Sequence, residues 1–309
     1  MGIRAQGMAG AFVAVADDAS ATWWNPAGLA HGAFANLIVE GSALQEPRVE
    51  QAPGGLAAPA WGSNSWGVSF GYPALGLSYY RLRISEIRAI EPTATTSVSR
   101  QDQGPASVLE RSLVVNQWGV TVGQSLGDHV VVATTVKVLY GGLGSAVVSA
   151  TGASLDSAAA LSGDGQAHAT LDLGAMATFG QVQLGFVLRN VAEPTFTNAT
   201  DSETLTRQAR VGAAFVGERV TAAFDADLAR VPTALGDERH VSGGVEARFL
   251  NRRLAARGGV SVNTTGSARP AVAGGVSVGL RSSLFLDGQV TGGADEARRG
   301  WGIDLRVTF

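Results

Sequence analysis

The sequence predicts an all-β protein: a transmembrane antiparallel β-barrel of about fourteen strands with an amino-terminal plug of short helical turns in its lumen. Three observations carry this expectation. They are an unbroken two-residue period at the carboxyl end, a low charge content without a helical span, and a series of alternating segments joined by short and long connections in turn. Gly300-Trp-Gly-Ile-Asp-Leu-Arg-Val-Thr-Phe309 sets Trp301, Ile303, Leu305, Val307 and Phe309 on one face. Gly300, Gly302, Asp304, Arg306 and Thr308 fall on the other. That period belongs to a strand with one apolar and one polar side. Such a strand must pair both edges, and in a bilayer only closure satisfies them.

Composition narrows the classes. The chain has 309 residues, 41 Gly, no Cys and 16% charged residues, against about 25% in an average soluble domain. No apolar run of about 18 residues is present, so no helical span is expected. Membrane character without one leaves a barrel. The lack of Cys is compatible with an oxidising compartment. A net charge of -3 with no basic block argues against nucleic acid as a partner. Lys137 is the lone lysine among 23 basic residues, a bias we read as genomic base composition. Met1-Gly2-Ile3-Arg4 lacks the charged start and apolar run of a signal peptide. A bacterial outer-membrane location therefore implies a signal already removed, and a cytosolic protein is the alternative that the strand pattern disfavours.

Residues 1–32 are expected to form the plug and 33–309 the barrel. Candidate strands cover 33–45, a weaker 53–61, and 66–90 as one long strand bulged at Pro73, with two separate strands as the rival reading. The series continues with 110–124, 129–141, 168–179, 181–192, 208–217, 219–231, 238–249, 253–263, 269–281, 283–293 and 299–309. Short turns are expected near 63, 127, 180, 218, 251 and 282, alternating with longer connections, as in outer-membrane barrels with periplasmic termini. Segments of about ten residues suit a tilted bilayer crossing better than a soluble β-sandwich, the competing class.

Facing follows from the same period. Val130, Val132, Val136, Val138, Leu171, Leu173, Phe179, Val182, Leu184, Phe186, Phe224, Leu228, Val272, Val276 and Val278 are placed toward lipid. Lys137, Asp172, Arg189, Asp225, Asp227, Glu246, Arg248, Arg257, Asp287, Asp304 and Arg306 are placed in the lumen. Signs alternate there, which fits a salt-bridged lumen; an ion-selective pore needs rings of one sign. Trp61, Trp66, Trp118, Tyr140, Trp301 and Phe309 are candidates for interfacial belts.

Residues 2–31 are rich in Ala and Gly and do not alternate. Asp17 or Asp18 can cap a short helix over 19–24, and Asn25 followed by Pro26 is a second cap with proline at the first position. Two helical turns joined at Asn25-Pro26 are expected, with Gly28 and Gly32 permitting reversal. Gly7, Ala9, Gly10 and Ala11 allow tight packing. A lumen this wide is not filled by wall side chains, so the segment either plugs it or leaves a water channel.

Other motifs are weak. His31, His129, His168 and His240 have no metal-ligand spacing. Gly141-Gly-Leu-Gly-Ser145 lacks the following helix of a phosphate loop, and no Gly-x-Ser-x-Gly elbow is evident. No metal, cofactor or enzymatic activity is expected.

Arg4-Ala-Gln-Gly-Met-Ala-Gly-Ala-Phe-Val-Ala-Val-Ala-Asp-Asp-Ala-Ser-Ala-Thr-Trp-Trp-Asn-Pro-Ala-Gly-Leu-Ala30 resembles the start of mature proteins in the FadL-like outer-membrane superfamily, especially its PorV/PorQ and TraF-like branch. The resemblance continues at Leu188–Pro194, Gln208–Ala214, Phe224–Leu228 and Gly243–Arg248. It implies a fourteen-stranded barrel whose leading segment is a hatch, with Asn25-Pro26-Ala27 matching the short hatch motif. In the fatty-acid transporter branch, cargo enters an apolar pocket and the hatch shifts. This chain is much shorter and shows no large helical outer loop. The PorV branch works in protein secretion instead.

Two functions follow as expectations. One is passage of small hydrophobic molecules past a movable plug. Arg4, Asp17 and Asp18 would dock the plug, Asn25, Pro26 and Gly28 would form its hinge, and Phe12, Trp23 and Trp24 would contact ligand. The other is a non-transporting partner in a secretion, motility or conjugation assembly; a structural porin ranks third. Expected partners are outer-membrane lipid and, through the strand carrying Trp301 and Phe309, the barrel-assembly machinery. Small hydrophobic ligands and envelope secretion proteins complete the set.

Overall fold

A computed structural model describes residues 1–46, 60–90, 107–233, 236–266, 268–293 and 299–309. Eighteen strands occur among them. They are β1 (Asn36–Glu46), β2 (Ala60–Tyr72), β3 (Leu75–Ala89), β4 (Ser107–Leu126), β5 (Val130–Ser149), β6 (Gln166–Phe179), β7 (Val182–Arg189), β8 (Thr195–Thr197) and β9 (Ser202–Thr204). The series goes on with β10 (Gln208–Val216), β11 (Val220–Asp227), β12 (Val231–Thr233), β13 (Gly236–Glu238), β14 (His240–Phe249), β15 (Leu254–Asn263), β16 (Ala271–Gly279), β17 (Leu284–Gly293) and β18 (Arg299–Thr308). Fourteen of them close an antiparallel barrel in the order β1-β18-β17-β16-β15-β14-β11-β10-β7-β6-β5-β4-β3-β2. The closing seam joins the ends of the chain, with Val39 opposite Leu305 and Gly41 opposite Ile303.

The alternation sorts as the two-residue period requires. On β18, Trp301, Ile303 and Leu305 are exposed on the outside while Asp304 is buried inside. Val136, Val138, Leu184, Phe186, Phe224, Val272 and Val276 are likewise exposed outward. An apolar exterior and a polar bore are the pattern of a barrel standing in lipid.

Three sequence expectations need correction. The second strand is β2, running straight through residue 63, and only residues 60 and 61 of the expected 53–61 segment fall in it; the remainder lies outside the described residues. Pro73 is not a bulge. With Ala74, at φ +64°, it makes the tight turn between β2 and β3, because proline has no N–H for the ladder and suits a turn. Trp61 shares the inward parity of Ser63 and Ser65 and lines a lumen cavity, so it belongs to no lipid belt.

The walls differ in height. β4 and β5 have 20 residues each, whereas β7 and β11 have eight. Alternation breaks near residue 141 at Gly141-Gly142, which hid the upper half of β5 from the periodicity. A short helix, α1 (Leu155–Ala160), follows β5 and begins with a reciprocal Ser154–Ser157 capping box. It covers the outer face of β2–β4, where Leu155 packs on Ala60, Ile87 and Val108. The β8–β9 hairpin turns inward, burying Phe196 against Leu113, Val115, Leu139 and Leu143 of the inner wall.

Candidate functional site

The leading segment packs inside the barrel. It forms helical turns at Ile3–Gly7, Ala21–Trp24 and Pro26–His31; the first was not anticipated. Its apolar side is a cluster of Ala5, Met8, Ala11, Phe12, Ala14, Val15, Ala16, Ala21 and Leu29 closed by Ala214 and Ala223 of the wall. Asn25 caps the third turn, its Oδ1 accepting from Ala27 N at 3.2 Å. Its Nδ2 donates to Val13 O at 2.8 Å and to Ala175 O of β6 at 3.1 Å, so one side chain ties two loops of the segment to the wall. Asp18 accepts from Ser20 N at 2.9 Å beside the second turn, although Ser20 rather than an aspartate occupies the cap position.

Inward glycines of the wall make room for this segment. Gly185 and Gly212 face each other across β7 and β10, and Gly244 and Gly259 across β14 and β15. A Cβ on Gly185 would stand 2.5 Å from Val13 O, and one on Gly259 2.4 Å from Met8 C. Gly28 is pressed on Ala16 O in the same way within the segment. Among wall side chains, Asp225 accepts from Phe12 N at 2.8 Å and Val13 N at 2.9 Å.

Charges lock the same contact. Arg4 donates from Nε and Nη2 to the two oxygens of Glu246 at 2.8 and 3.0 Å and also pairs with Asp17 and Asp18. Burial would lower the Arg4 pKa, but Asp17, Glu246 and Asp18 outweigh it and hold it well above the ordinary arginine value. Glu246 also meets Arg248 at 2.9 Å and Arg257 at 3.5 Å; Arg257 pairs with Asp287 at 2.6 Å, and Asp287 with Arg306 at 3.3 Å. Elsewhere, Lys137 meets Asp172 at 2.7 Å and Asn190 at 2.8 Å. Arg210 pairs with Asp227 at 2.6 Å and donates to Gly10 O at 3.2 Å. Arg189 lies over the Trp23 ring at 4.1 Å. Asp304 is buried on the inner face of β18.

Among the described residues, three cavities can be followed along the bore. The outermost, about 250 Å³, is lined by Trp61, Ile84, Leu205, Val231 and Pro232 with Glu86 and Glu203. Below it, about 290 Å³ is bounded by Leu44, Leu82, Ala43, Trp23 and Trp24. Leu44 borders both. On the short-turn side, about 600 Å³ is lined by charged groups including Arg4, Asp17, Glu246 and Arg306. The leading segment stands between the second cavity and the third.

Of the ligand-contact candidates, Trp23 and Trp24 border the middle cavity, whereas Phe12 is fully buried against the edge of Trp24 and borders none of the three. Phe12 is large, apolar and in the plug, as Trp23 and Trp24 are, but its environment is the segment's own core. Trp61 lines the bore and not a belt, and Leu44 and Tyr80, whose hydroxyl meets Thr22 Oγ1 at 3.2 Å, had no sequence signal. Arg111 likewise had none: it pairs with Glu86 of β3 and holds the β8–β9 hairpin through Glu203, both at 2.9 Å, and Asp201. Burial and Glu86 raise the Glu203 pKa above its usual range against the pull of Arg111 and Arg88. The four histidines are dispersed, and among the described residues no acidic and histidine group has the makings of a metal site.

The family profile described as F plasmid transfer operon, TraF, protein matches residues 44–227, more than half of the chain. No curated protein sequence matches. Among solved structures, the CymD monoaromatic hydrocarbon channel superposes with a TM-score of 0.67 at 12% identity, covering 99% of this chain and 96% of the other. The Ralstonia pickettii toluene transporter TbuX gives 0.67 at 13%, covering 100% and 98%. A Pseudomonas aeruginosa FadL homologue gives 0.60 at 9%, covering 99% and 97%. The chain thus has the FadL-like outer-membrane barrel fold over its whole length.

Proposed function

From the premise that this chain belongs to the F plasmid transfer operon TraF protein family and has a FadL-like barrel, we propose that it passes small hydrophobic molecules across the bacterial outer membrane. Residues 1–32 act as a movable hatch. Cargo collects in the outer cavity under the β8–β9 hairpin, moves past Leu44 onto Trp23 and Trp24, and leaves when the hatch shifts. The observation that carries this reading is the stacking of two partly apolar cavities above a segment that touches the wall through ion pairs and backbone contacts and is not paired into the sheet. The hydrocarbon and toluene channels of like fold support the cargo class. The reading needs no catalysis and no cofactor. Arg4, Asp17 and Asp18 dock the hatch, and Asn25, Pro26 and Gly28 shape its hinge.

The test is a reversible lock. The chain has no cysteine, and Thr22 of the segment meets the Tyr80 hydroxyl of β3 at 3.2 Å, a pair whose positions a short reducible crosslinker between two cysteines can span. Toluene uptake into liposomes holding the Thr22→Cys/Tyr80→Cys variant is expected to stop when the two cysteines are crosslinked and to return on reduction. Equal uptake in both states sinks the hatch. The family match favours a second reading, a partner in a conjugation assembly; uptake absent from the unmodified protein, with stable co-purification of envelope proteins, would support it.

A further inference from the structure

We propose that the outer face of β3 carries a binding site for the phosphate group of an anionic lipid in the leaflet on the long-loop side, formed by Arg81 and Arg83. Leu82, Ile84 and Glu86 line the lumen cavities, so the alternate residues Arg81 and Arg83 point out of the barrel. An arginine on the lipid face is strongly disfavoured at the bilayer midplane and nearly neutral at the interfaces. These two must therefore stand at an interface.

The neighbours mark which one. Immediately toward the short turns, Trp66, Tyr79 and Trp118 form an outward ladder with ring centroids 5.1 and 5.3 Å apart. Such rings sit at headgroup depth. On the other side of the arginines, Ser85 and Ile87 are buried, Ile87 in the cluster that packs on α1. Arg81 and Arg83 occupy the strip between ladder and helix. Their register partners are Trp66 and Asn116 for Arg81, and Asn64 and Val114 for Arg83.

Inside the barrel, Arg210, Arg257 and Arg306 each meet a carboxylate. Among the described residues Arg81 and Arg83 have no ion-pair or hydrogen-bond partner, and Nε of Arg83 is shielded without one. Two guanidinium forks on one face, about 7 Å apart along the strand, match the oxygens of a phosphate. The exposed Leu77, Val120 and Val122 continue the surface toward the short turns and suit acyl chains. A lipid supplies both parts; a free anion supplies one.

The experiment is native mass spectrometry of the full chain released from nanodiscs of zwitterionic lipid doped with phosphatidylglycerol or with a phosphorylated glycolipid. The unmodified protein is expected to keep one anionic lipid in preference to the zwitterionic one. Arg81→Gln/Arg83→Gln should reduce that retention about tenfold or more. Arg252→Gln/Arg253→Gln, on an opposite short turn, should leave it unchanged. No preference in the unmodified protein overturns the proposal, and that arm stands even if the glutamine variant fails to insert. Equal retention in all three proteins overturns it too, as does displacement of the lipid by millimolar inorganic phosphate, which would assign the site to a free anion.

Discussion

Arg4 and Glu246, 242 positions apart in the chain, meet in a two-pronged ion pair with N–O distances of 2.8 and 3.0 Å. The pair joins the first turn of the leading segment to β14. Both side chains are buried, so removing one partner strands a charge in a poorly solvated place.

Glu246→Leu is accordingly expected to loosen the segment by about 3–5 kcal/mol, since Arg4, Arg248 and Arg257 all lose an acceptor at once. Asp17 and Asp18 retain part of the hold on Arg4. Protease cleavage within residues 1–32 and single-channel current should both rise while the barrel keeps its heat-modifiable gel shift. Unchanged cleavage would mean that the ion pair is incidental.

Wall glycines give a second prediction. Gly185→Leu and Gly259→Val place atoms where Val13 O and Met8 C now lie, 2.5 and 2.4 Å from the first added carbon. Overpacking of this kind costs about 1–3 kcal/mol. Both variants should assemble as barrels with a displaced hatch and raised conductance. Gly243→Ala, with nothing within 4 Å of its Cβ, should behave as the parent.

Phe12 and Trp23 separate packing from cargo contact. Phe12→Ala empties a fully buried site and should lower hatch stability by about 3–5 kcal/mol. Trp23→Ala opens the middle cavity and releases Arg189 from its ring. Its effect should fall on toluene uptake, with little change in protease resistance. The opposite assignment of effects would reverse the two roles.

Much of the barrel was legible because lipid outside and water or charge inside impose a period of two, as β18 shows residue by residue. The lumen charges could be picked out by the same parity. Pro73 misled because a proline between two in-phase apolar runs reads equally as a bulge or a turn, and only pairing decides. The site was less legible. Gly185 and Gly259 were visible as glycines, but their meaning depends on a segment more than 150 residues away in sequence. Trp61 fell near an expected turn that lies at 73–74 instead, which put it on the wrong surface. The β8–β9 hairpin is held by Arg111 and Phe196, contacts of tertiary origin that no local pattern encodes.

Part of the segment's seat reads only its main chain. Asp225 receives two amide N–H groups, Gly185 abuts a carbonyl, and Gly259 abuts the peptide after Met8. None of these depends on which side chains residues 8–13 carry. On the proposed function, selectivity and closure would be separable inheritances: relining the bore at Trp23 or Trp61 would suit a different cargo while the stopper kept the same keyhole.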